Sequence, residues 1–181
     1  ILVSMHREEN VDYAKPLSDL LQALEMLAKL HVMPVVVSTH PRTKKRIDSL
    51  GYEDSTGQIQ FLKPFGFSDY NQLQKQSFCT VSDSGTISEE SSMLGFPAVT
   101  IRNALERPEA LDCGCITMTG TDPERIVDCV GAVTRQFASG APIDCPVDYQ
   151  IQNTSQRVVR LILGTAKLAH RWQGIEVSEQ A

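Results

Sequence analysis

A small polar stretch at residues 84–86 (Ser-Gly-Thr) is the first candidate for ligand binding in the chain. The apolar run before it, residues 78–81, predicts a buried strand, and residues 87–94 after it predict a helix that ends at Gly95. A polar strand-to-helix turn directs several backbone N–H groups at one point, where the helix dipole adds partial positive charge. Gly85 lets a ligand approach that backbone closely. The stretch therefore predicts a phosphate-binding turn.

Two charged residues near this turn extend it to a candidate nucleotide site. Thr86 and Glu90 are four positions apart and share a helix face, where Glu90 is suited to accept hydrogen bonds from ribose hydroxyls. Arg107 can cap a diphosphate with its planar guanidinium. A Ser/Gly/Thr turn is equally typical of a plain N-cap, and early glutamates simply suit a helix dipole. From the turn alone, both interpretations stay open.

Strands and helices alternate along the chain around this turn. The patterns predict strands at residues 1–5, 33–38, 59–62, 78–81, 98–101 and 116–119, and helices at 16–30, 42–50, 68–76, 87–94, 108–112, 123–137 and 154–172. This alternation predicts an α/β fold, in which helices cover both faces of a parallel sheet. We expect residues 1–150 to form that domain, and residues 151–181 to form a C-terminal helix and tail.

The candidate residues all follow predicted strand ends. Ligands of parallel sheets bind outside the carboxyl ends of the strands. Residues just past those ends are His6, His40, Phe65, Ser84, Gly85 and the segment 102–107. Their convergence on one rim favours the phosphate interpretation of the turn. The chain has no Gly-rich dinucleotide fingerprint after the first strand and no Walker loop, which disfavours NAD and ATP.

Composition sets the class of the protein. The chain has 181 residues, a net charge of −5 and 41% hydrophobic residues, which indicates one ordinary globular domain with or without a tail. The absence of a basic run argues against nucleic acid and anionic membranes, and no apolar run is long enough to span a bilayer. The chain starts at Ile1, without an initiator Met and inside a predicted strand, so we expect it to be a piece of a longer protein.

The cysteines indicate a reducing compartment. Their number, five, is odd, and Cys113-Gly-Cys115 lacks a second pair at zinc spacing. Reduced thiols in a cytoplasmic protein are the simplest interpretation, and we predict no metal site.

Three motifs together resemble a known family. They are residues 6–10 (His-Arg-Glu-Glu-Asn), residues 82–85 with Glu89 and Glu90, and residues 102–103 with 106–109. In order and spacing they resemble the non-hydrolysing UDP-N-acetylglucosamine 2-epimerases. The resemblance implies two Rossmann-like domains of the GT-B type, with the active site between them. This chain is similar to the second, UDP-binding domain, so the N-terminal domain would be missing, and the longer enzyme is expected to be a homodimer.

The resemblance also assigns roles. Ser84, Gly85 and Thr86 would hold the diphosphate, Glu90 the ribose, and Arg107 the nucleotide. Phe65 would contact the uracil through its backbone, and Tyr70 would lie against the base. His6 matches the functional histidine beside the diphosphate and is the catalytic candidate of this chain. No metal or other cofactor is implied.

The implied reaction is inversion at C2 of a UDP-2-acetamido sugar. A base removes the C2 proton and UDP leaves, after which UDP adds back with a proton delivered to the other face. The carboxylates for this proton transfer would come from the missing domain, so the chain by itself is expected to be inactive. This half would stabilise the leaving diphosphate through the helix N-terminus, Arg107 and protonated His6.

Two departures from the usual pattern point to a subgroup. Thr86 replaces a second glycine, and Glu8 replaces a second basic residue. Residues 6–10 and 84–86, together with residues 100–103 (Thr-Ile-Arg-Asn), are similar to those of enzymes that form UDP-N-acetyl-L-fucosamine from UDP-2-acetamido-2,6-dideoxy-L-talose for capsule or O-antigen. The alternatives are epimerisation of UDP-N-acetylglucosamine to UDP-N-acetylmannosamine, a GT-B glycosyltransferase, and a non-catalytic nucleotide-binding module.

Several residues keep a purely structural alternative. His40 is either a rim ligand or a loop residue, and Tyr70 either contacts the base or is half-buried core. Arg102 could simply hold its loop, while His31 and His170 are expected to be ordinary helix residues. The apolar residues of the last helix either dock on this domain or cross to the missing one.

Overall fold

A computed structural model describes residues 1–104 and 106–174, without the side chain of His170. The chain forms two compact units, Ile1–Tyr149 and Gln150–Ala181. None of the described helices is long and apolar enough to cross a membrane.

The first unit contains a parallel six-stranded sheet with the order β3-β2-β1-β4-β5-β6. Its strands are β1 (Leu2–Ser4), β2 (Val35–Ser38), β3 (Ile59–Leu62), β4 (Thr80–Ser82), β5 (Ala98–Thr100) and β6 (Thr117–Met118). The predicted α/β class and parallel sheet are therefore confirmed. The order places β1 beside β4 at the centre, where the chain reverses its direction across the sheet. Such a reversal opens a crevice at the carboxyl ends of the two strands.

Helices cover both faces of this sheet. They are α1 (Glu8–Val11), α2 (Ala14–His31), α3 (Pro41–Ser49), α4 (Phe67–Gln76), α5 (Ile87–Leu94), α6 (Pro108–Asp112) and α7 (Pro123–Ala138), followed by a 3-10 turn at Val147–Gln150. Adjacent residues of β5 show the two faces: Val99 packs in the core with α2 and α7, whereas Ala98 packs in the core with α5 and α6. Side chains alternate in this way because successive strand residues point to opposite faces.

Two sequence predictions need correction, and one short helix was not predicted. β4 begins at Thr80 rather than at residue 78, because its pairing with β1 starts where Thr80 meets Leu2. Residues 8–11 form the short helix α1, too brief to leave a periodic pattern. The predicted helix 154–172 is two helices of the second unit, α8 (Thr154–Thr165) and α9 (Ala169–Trp172). The break follows Gly164 and Thr165, both poor helix formers.

The predicted ends of α5 and α7 are confirmed. Gly95 closes α5 in the left-handed conformation (φ 70°), and the side chain of Asp122 accepts a 2.8 Å hydrogen bond from the backbone N–H of Arg125 at the start of α7. α2 ends differently: Val32 takes the left-handed position (φ 50°) that glycine usually fills.

Candidate functional site

A buried carboxylate joins the carboxyl ends of β1 and β4. Asp83, which follows β4, accepts backbone hydrogen bonds from His6 (2.9 Å) and Arg7 (2.9 Å), and a side-chain bond from Asn10 Nδ2 (3.1 Å). It is fully buried. The residues after β1 are thereby fixed against the turn after β4. Asp83 was part of a sequence motif, but nothing in its local sequence indicated this role.

Asp83 also orients the imidazole of His6. Nδ1 of His6 lies 2.9 Å from Oδ1 of Asp83, while the ring stays half exposed at the rim. This hydrogen bond raises the pKa of His6, against the opposing effect of burial. Burial disfavours the charged form of Asp83, yet the bonds from His6, Arg7 and Asn10 leave its pKa below the ordinary value. The pair therefore favours an imidazolium at the rim.

The predicted turn lies where the sequence placed it, between β4 and α5. Thr86, the N-cap residue of α5, makes no side-chain hydrogen bond to the first N–H groups of the helix, but Oγ of Ser84 accepts a 3.3 Å bond from the backbone N–H of Thr86, so both interpretations of the turn stay open. A Cβ placed on Gly85 would lie 3.1 Å from Nη1 of Arg107 and 3.4 Å from Nη2 of Arg7. The turn therefore faces two guanidinium groups at close range, and only glycine leaves this space free.

Glu90 is held between two helices. Its carboxylate accepts a 2.7 Å bond from Oγ1 of Thr86 and a 2.6 Å bond from Nε2 of Gln74 on α4. The predicted shared face of Thr86 and Glu90 is thus a direct contact. Gln74 is fully buried, although a glutamine near a helix end gives no sequence signal of burial. The two bonds fix the carboxylate and leave its remaining lone pairs for further donors.

Arg107 adopts an unusual backbone conformation. It precedes Pro108 at the start of α6 with φ 57° and ψ 61°, in the left-handed region. Its Nε donates a 2.5 Å hydrogen bond to Oε1 of Glu89, and this contact raises the pKa of Arg107. The guanidinium is therefore held over the turn by the first glutamate of α5.

The remaining candidates lie around this centre. Tyr70, on α4, is half-buried, and burial raises its pKa to about 12. Phe65 lies in the loop after β3, partly buried. His40 makes a local contact, because its Nδ1 accepts a 3.2 Å bond from the backbone N–H of Arg42 at the start of α3.

His31 packs at the end of α2, and Arg102 forms an ion pair in the loop after β5. His31 ends α2 with its ring 4.8 Å from that of Phe78, and burial lowers its pKa. Arg102 is buried and pairs with Glu106. The side chain of His170 lies outside the described part of the structure. Across the described residues, no group of His, Cys, Asp and Glu side chains has the arrangement of a metal site.

Comparison of the sequence with known proteins gives consistent matches. A family model described as UDP-N-acetylglucosamine 2-epimerase matches residues 1–163. The protein of that name from Methanococcus maripaludis is 33% identical over 132 residues, which are 71% of this chain and 36% of that protein. A UDP-2,3-diacetamido-2,3-dideoxy-D-glucuronate 2-epimerase from Pseudomonas aeruginosa is 33% identical over 128 residues, or 71% of this chain and 35% of that protein.

Solved structures give the same match at the level of the fold. UDP-N-acetylglucosamine 2-epimerase from Rickettsia bellii superposes with a TM-score of 0.80 at 38% identity, over 94% of this chain and 45% of that chain. UDP-GlcNAc 2-epimerase from Neisseria meningitidis, solved with UDP-GlcNAc bound, superposes with a TM-score of 0.76 at 26% identity, over 91% of this chain and 44% of that chain. The chain thus spans between a third and a half of the length of these relatives.

Proposed function

The chain belongs to the UDP-N-acetylglucosamine 2-epimerase family, and on that premise we propose that it is the UDP-binding half of a UDP-sugar 2-epimerase. The observation that carries the proposal is the junction of β1 and β4. There Asp83 fixes the imidazole of His6 beside a glycine turn that faces two guanidinium groups. A site of this kind suits a diphosphate, because fixed N–H donors and planar cations match phosphate oxygens. The missing N-terminal domain would complete the GT-B cleft.

The role of this half is to stabilise the leaving group. In the proposed reaction a base takes the C2 proton, the C1–O bond breaks with its electron pair going to UDP, and an unsaturated 2-acetamido sugar remains. UDP then adds back at C1, while a proton reaches the opposite face of C2. Negative charge grows on the diphosphate as the bond breaks, so His6, Arg107 and the N-terminus of α5 would lower this barrier. The proton-transferring carboxylates would come from the N-terminal domain.

Glu90 would bind the ribose of the same ligand. Gln74 and Thr86 hold its carboxylate in place, so it meets the ribose hydroxyls without rearrangement. Phe65 and Tyr70 lie after β3 and on α4, and they would border the uracil. Ser84 and Thr86, with Gly85 between them, would contact the diphosphate.

For the sugar we propose conversion of UDP-2-acetamido-2,6-dideoxy-L-talose to UDP-N-acetyl-L-fucosamine in the cytoplasm, for capsule or O-antigen. The support is the combination of Thr86 in the turn with Glu8 in the first motif. The named relatives act on other UDP-2-acetamido sugars, so assays of the longer enzyme with each candidate sugar decide the substrate.

The second unit would dock on the N-terminal domain. Its helix α8 exposes apolar side chains, among them Leu161 and Leu163, and Trp172 of α9 is 65% exposed. Residues 151–181 would cross to the N-terminal domain, which would cover these side chains. We expect the longer enzyme to be a homodimer. Light scattering of the longer protein and of this chain checks this: the chain by itself should self-associate, and the longer protein should be a defined dimer.

Calorimetric titration with UDP tests the proposed site. We expect the chain to bind UDP, and Arg107→Ala to raise the Kd about tenfold, since a charge-assisted contact to phosphate is lost. Arg135→Ala, on α7, removes the same charge from another helix and should leave the Kd unchanged. If Arg107→Ala leaves the Kd for UDP unchanged, the turn is not the phosphate-binding site. If neither the folded chain nor the longer protein binds UDP, the proposed function is wrong.

A further inference from the structure

Glu106 places a carboxylate directly in front of the phosphate-binding turn. Its Oε2 lies 3.5 Å from the point that a Cβ on Gly85 would occupy. The same oxygen is 3.7 Å from Nη2 of Arg7 and 3.6 Å from Nη1 of Arg107. These are the two guanidinium groups that the turn faces, so a ligand phosphate approaching Gly85 meets an anion already there.

A third arginine holds this carboxylate more tightly. Nη2 of Arg102 donates a 2.6 Å hydrogen bond to Oε1 of Glu106, and Nη1 donates a shorter one to Oε2. The side chain of Arg102 is 7% exposed, whereas that of Glu106 is 43% exposed. The bonds from Arg102 lower the pKa of Glu106, which is therefore ionised at neutral pH. The contacts with Arg7 and Arg107 are longer than hydrogen bonds and easier to exchange.

Each of the two exchangeable arginines has a separate anchor. Nε of Arg7 donates to the backbone oxygen of Asp83 at 3.2 Å, and Nε of Arg107 donates to Glu89. Their positions over Gly85 therefore do not depend on Glu106. What Glu106 contributes at this point is its negative charge.

We propose that Glu106 is the counter-ion of Arg7 and Arg107 in the empty diphosphate site. A bound diphosphate would replace its carboxylate as the partner of both guanidinium groups. The inference rests on the proposed function. Glu106 and Arg102 also line a small cavity together with Ser84 and Gly85, so there is space beside the turn into which the carboxylate can shift. Because the empty site is already neutralised in part, a ligand with one negative charge gains little there. Glu106 thereby selects for diphosphates at the expense of absolute affinity.

Calorimetry of the neutral variant Glu106→Gln tests this inference. Gln keeps the shape and one acceptor for Arg102 but removes the charge, so the Kd for UDP should fall about fivefold relative to the wild type. The control is Glu53→Gln, which removes a glutamate from the loop before β3, at the opposite edge of the sheet, and should leave the Kd within about twofold of the wild type. Uridine, which lacks phosphate, should bind both variants as it binds the wild type.

The outcomes separate this inference from the proposed function. If UDP binds the wild type and Glu106→Gln binds it equally or more weakly, Glu106 is a support for the arginines and the counter-ion role is wrong. If UDP binds no variant, the proposed function fails first. Glu106→Asp is a second test in case Glu106→Gln does not fold. Its shorter side chain holds the carboxylate farther from Gly85, so UDP should bind more tightly than to the wild type, with a smaller decrease in Kd than in Glu106→Gln. Weaker binding to Glu106→Asp would also overturn the inference.

Discussion

Two neighbouring parts of the same rim are built differently. At the β1/β4 rim (His6, Arg7, Asp83 and residues 84–86), hydrogen bonds link residues 77 positions apart in the chain, as from the backbone of His6 to Asp83. At the β2/β3 rim (His40 and Phe65), His40 bonds to a residue two positions away. The β2/β3 rim is also joined, by a 2.8 Å bond from the backbone N–H of Thr39 to the carbonyl of Leu62, but the side chain of His40 takes no part in it. The two rims therefore differ in whether their candidate side chains bond across strands: those of His6 and Asp83 do, and that of His40 does not.

The largest test of this contrast is Asp83→Ala. It leaves the partly buried N–H groups of His6 and Arg7 and the buried amide of Asn10 without their acceptor, at a cost of about 1–3 kcal/mol for each fully desolvated group. We expect the free energy of unfolding to fall by about 3 kcal/mol or more in urea denaturation. Asp122→Ala removes an aspartate that only caps α7 and should cost about 1 kcal/mol. Equal losses in the two variants would mean that the ends of β1 and β4 are held together by other contacts.

The sequence predicted the fold well, and it predicted which residues lie together at the carboxyl ends of the strands. Alternating strands and helices require a parallel sheet, and its carboxyl ends gather whatever polar residues follow each strand. His6, Gly85 and Arg107 were found in this way, as were the ends of α5 and α7, because cap residues act over a few neighbouring positions.

The contacts that organise the site could not be predicted. The bonds of Asp83 and Gln74 span 77 and 16 positions, and such distant partners leave no periodic or local pattern. Glu106 belonged to a motif, but its position over Gly85 depends on how the loop after β5 folds back. The left-handed backbone of Arg107 is equally hidden, since Pro108 indicates only where a helix begins.

The strained backbone of Arg107 gives a second test of the β1/β4 rim. Arg107→Ala and Arg107→Gly both remove the contact with Glu89, but glycine adopts φ 57° without the steric cost that any other residue has. The glycine variant should therefore be more stable by about 1 kcal/mol in urea denaturation, and both variants should bind UDP weakly. An alanine variant as stable as the glycine variant would show that the loop relaxes when the guanidinium is lost.

The pH dependence of stability tests the pairing of His6 with Asp83. The pKa of His6 is higher in the folded protein than its value of 6.5 in the unfolded chain. Protonation of His6 therefore stabilises the folded state fully below pH 6.5, and this stabilisation is lost as the pH rises through the folded-state pKa. Because the ring is half exposed, the effect should stay below about 1 kcal/mol. The difference in unfolding free energy between wild type and His6→Gln should be larger at pH 6 than at pH 9. A difference independent of pH would mean that the imidazole is neutral in both states.

The smallest effect is expected at the other rim. His40 caps α3 through one exposed hydrogen bond, and Pro41 at the first helical position supports the helix start independently. His40→Ala should therefore cost about 0.5 kcal/mol, less than Asp122→Ala, in the same denaturation experiment. It should also leave UDP binding unchanged, because no bond links His40 to β1 or β4 among the described contacts. If His40→Ala weakens UDP binding as much as Arg107→Ala does, the β2/β3 rim is part of the same site, and bonding across strands is not what defines it.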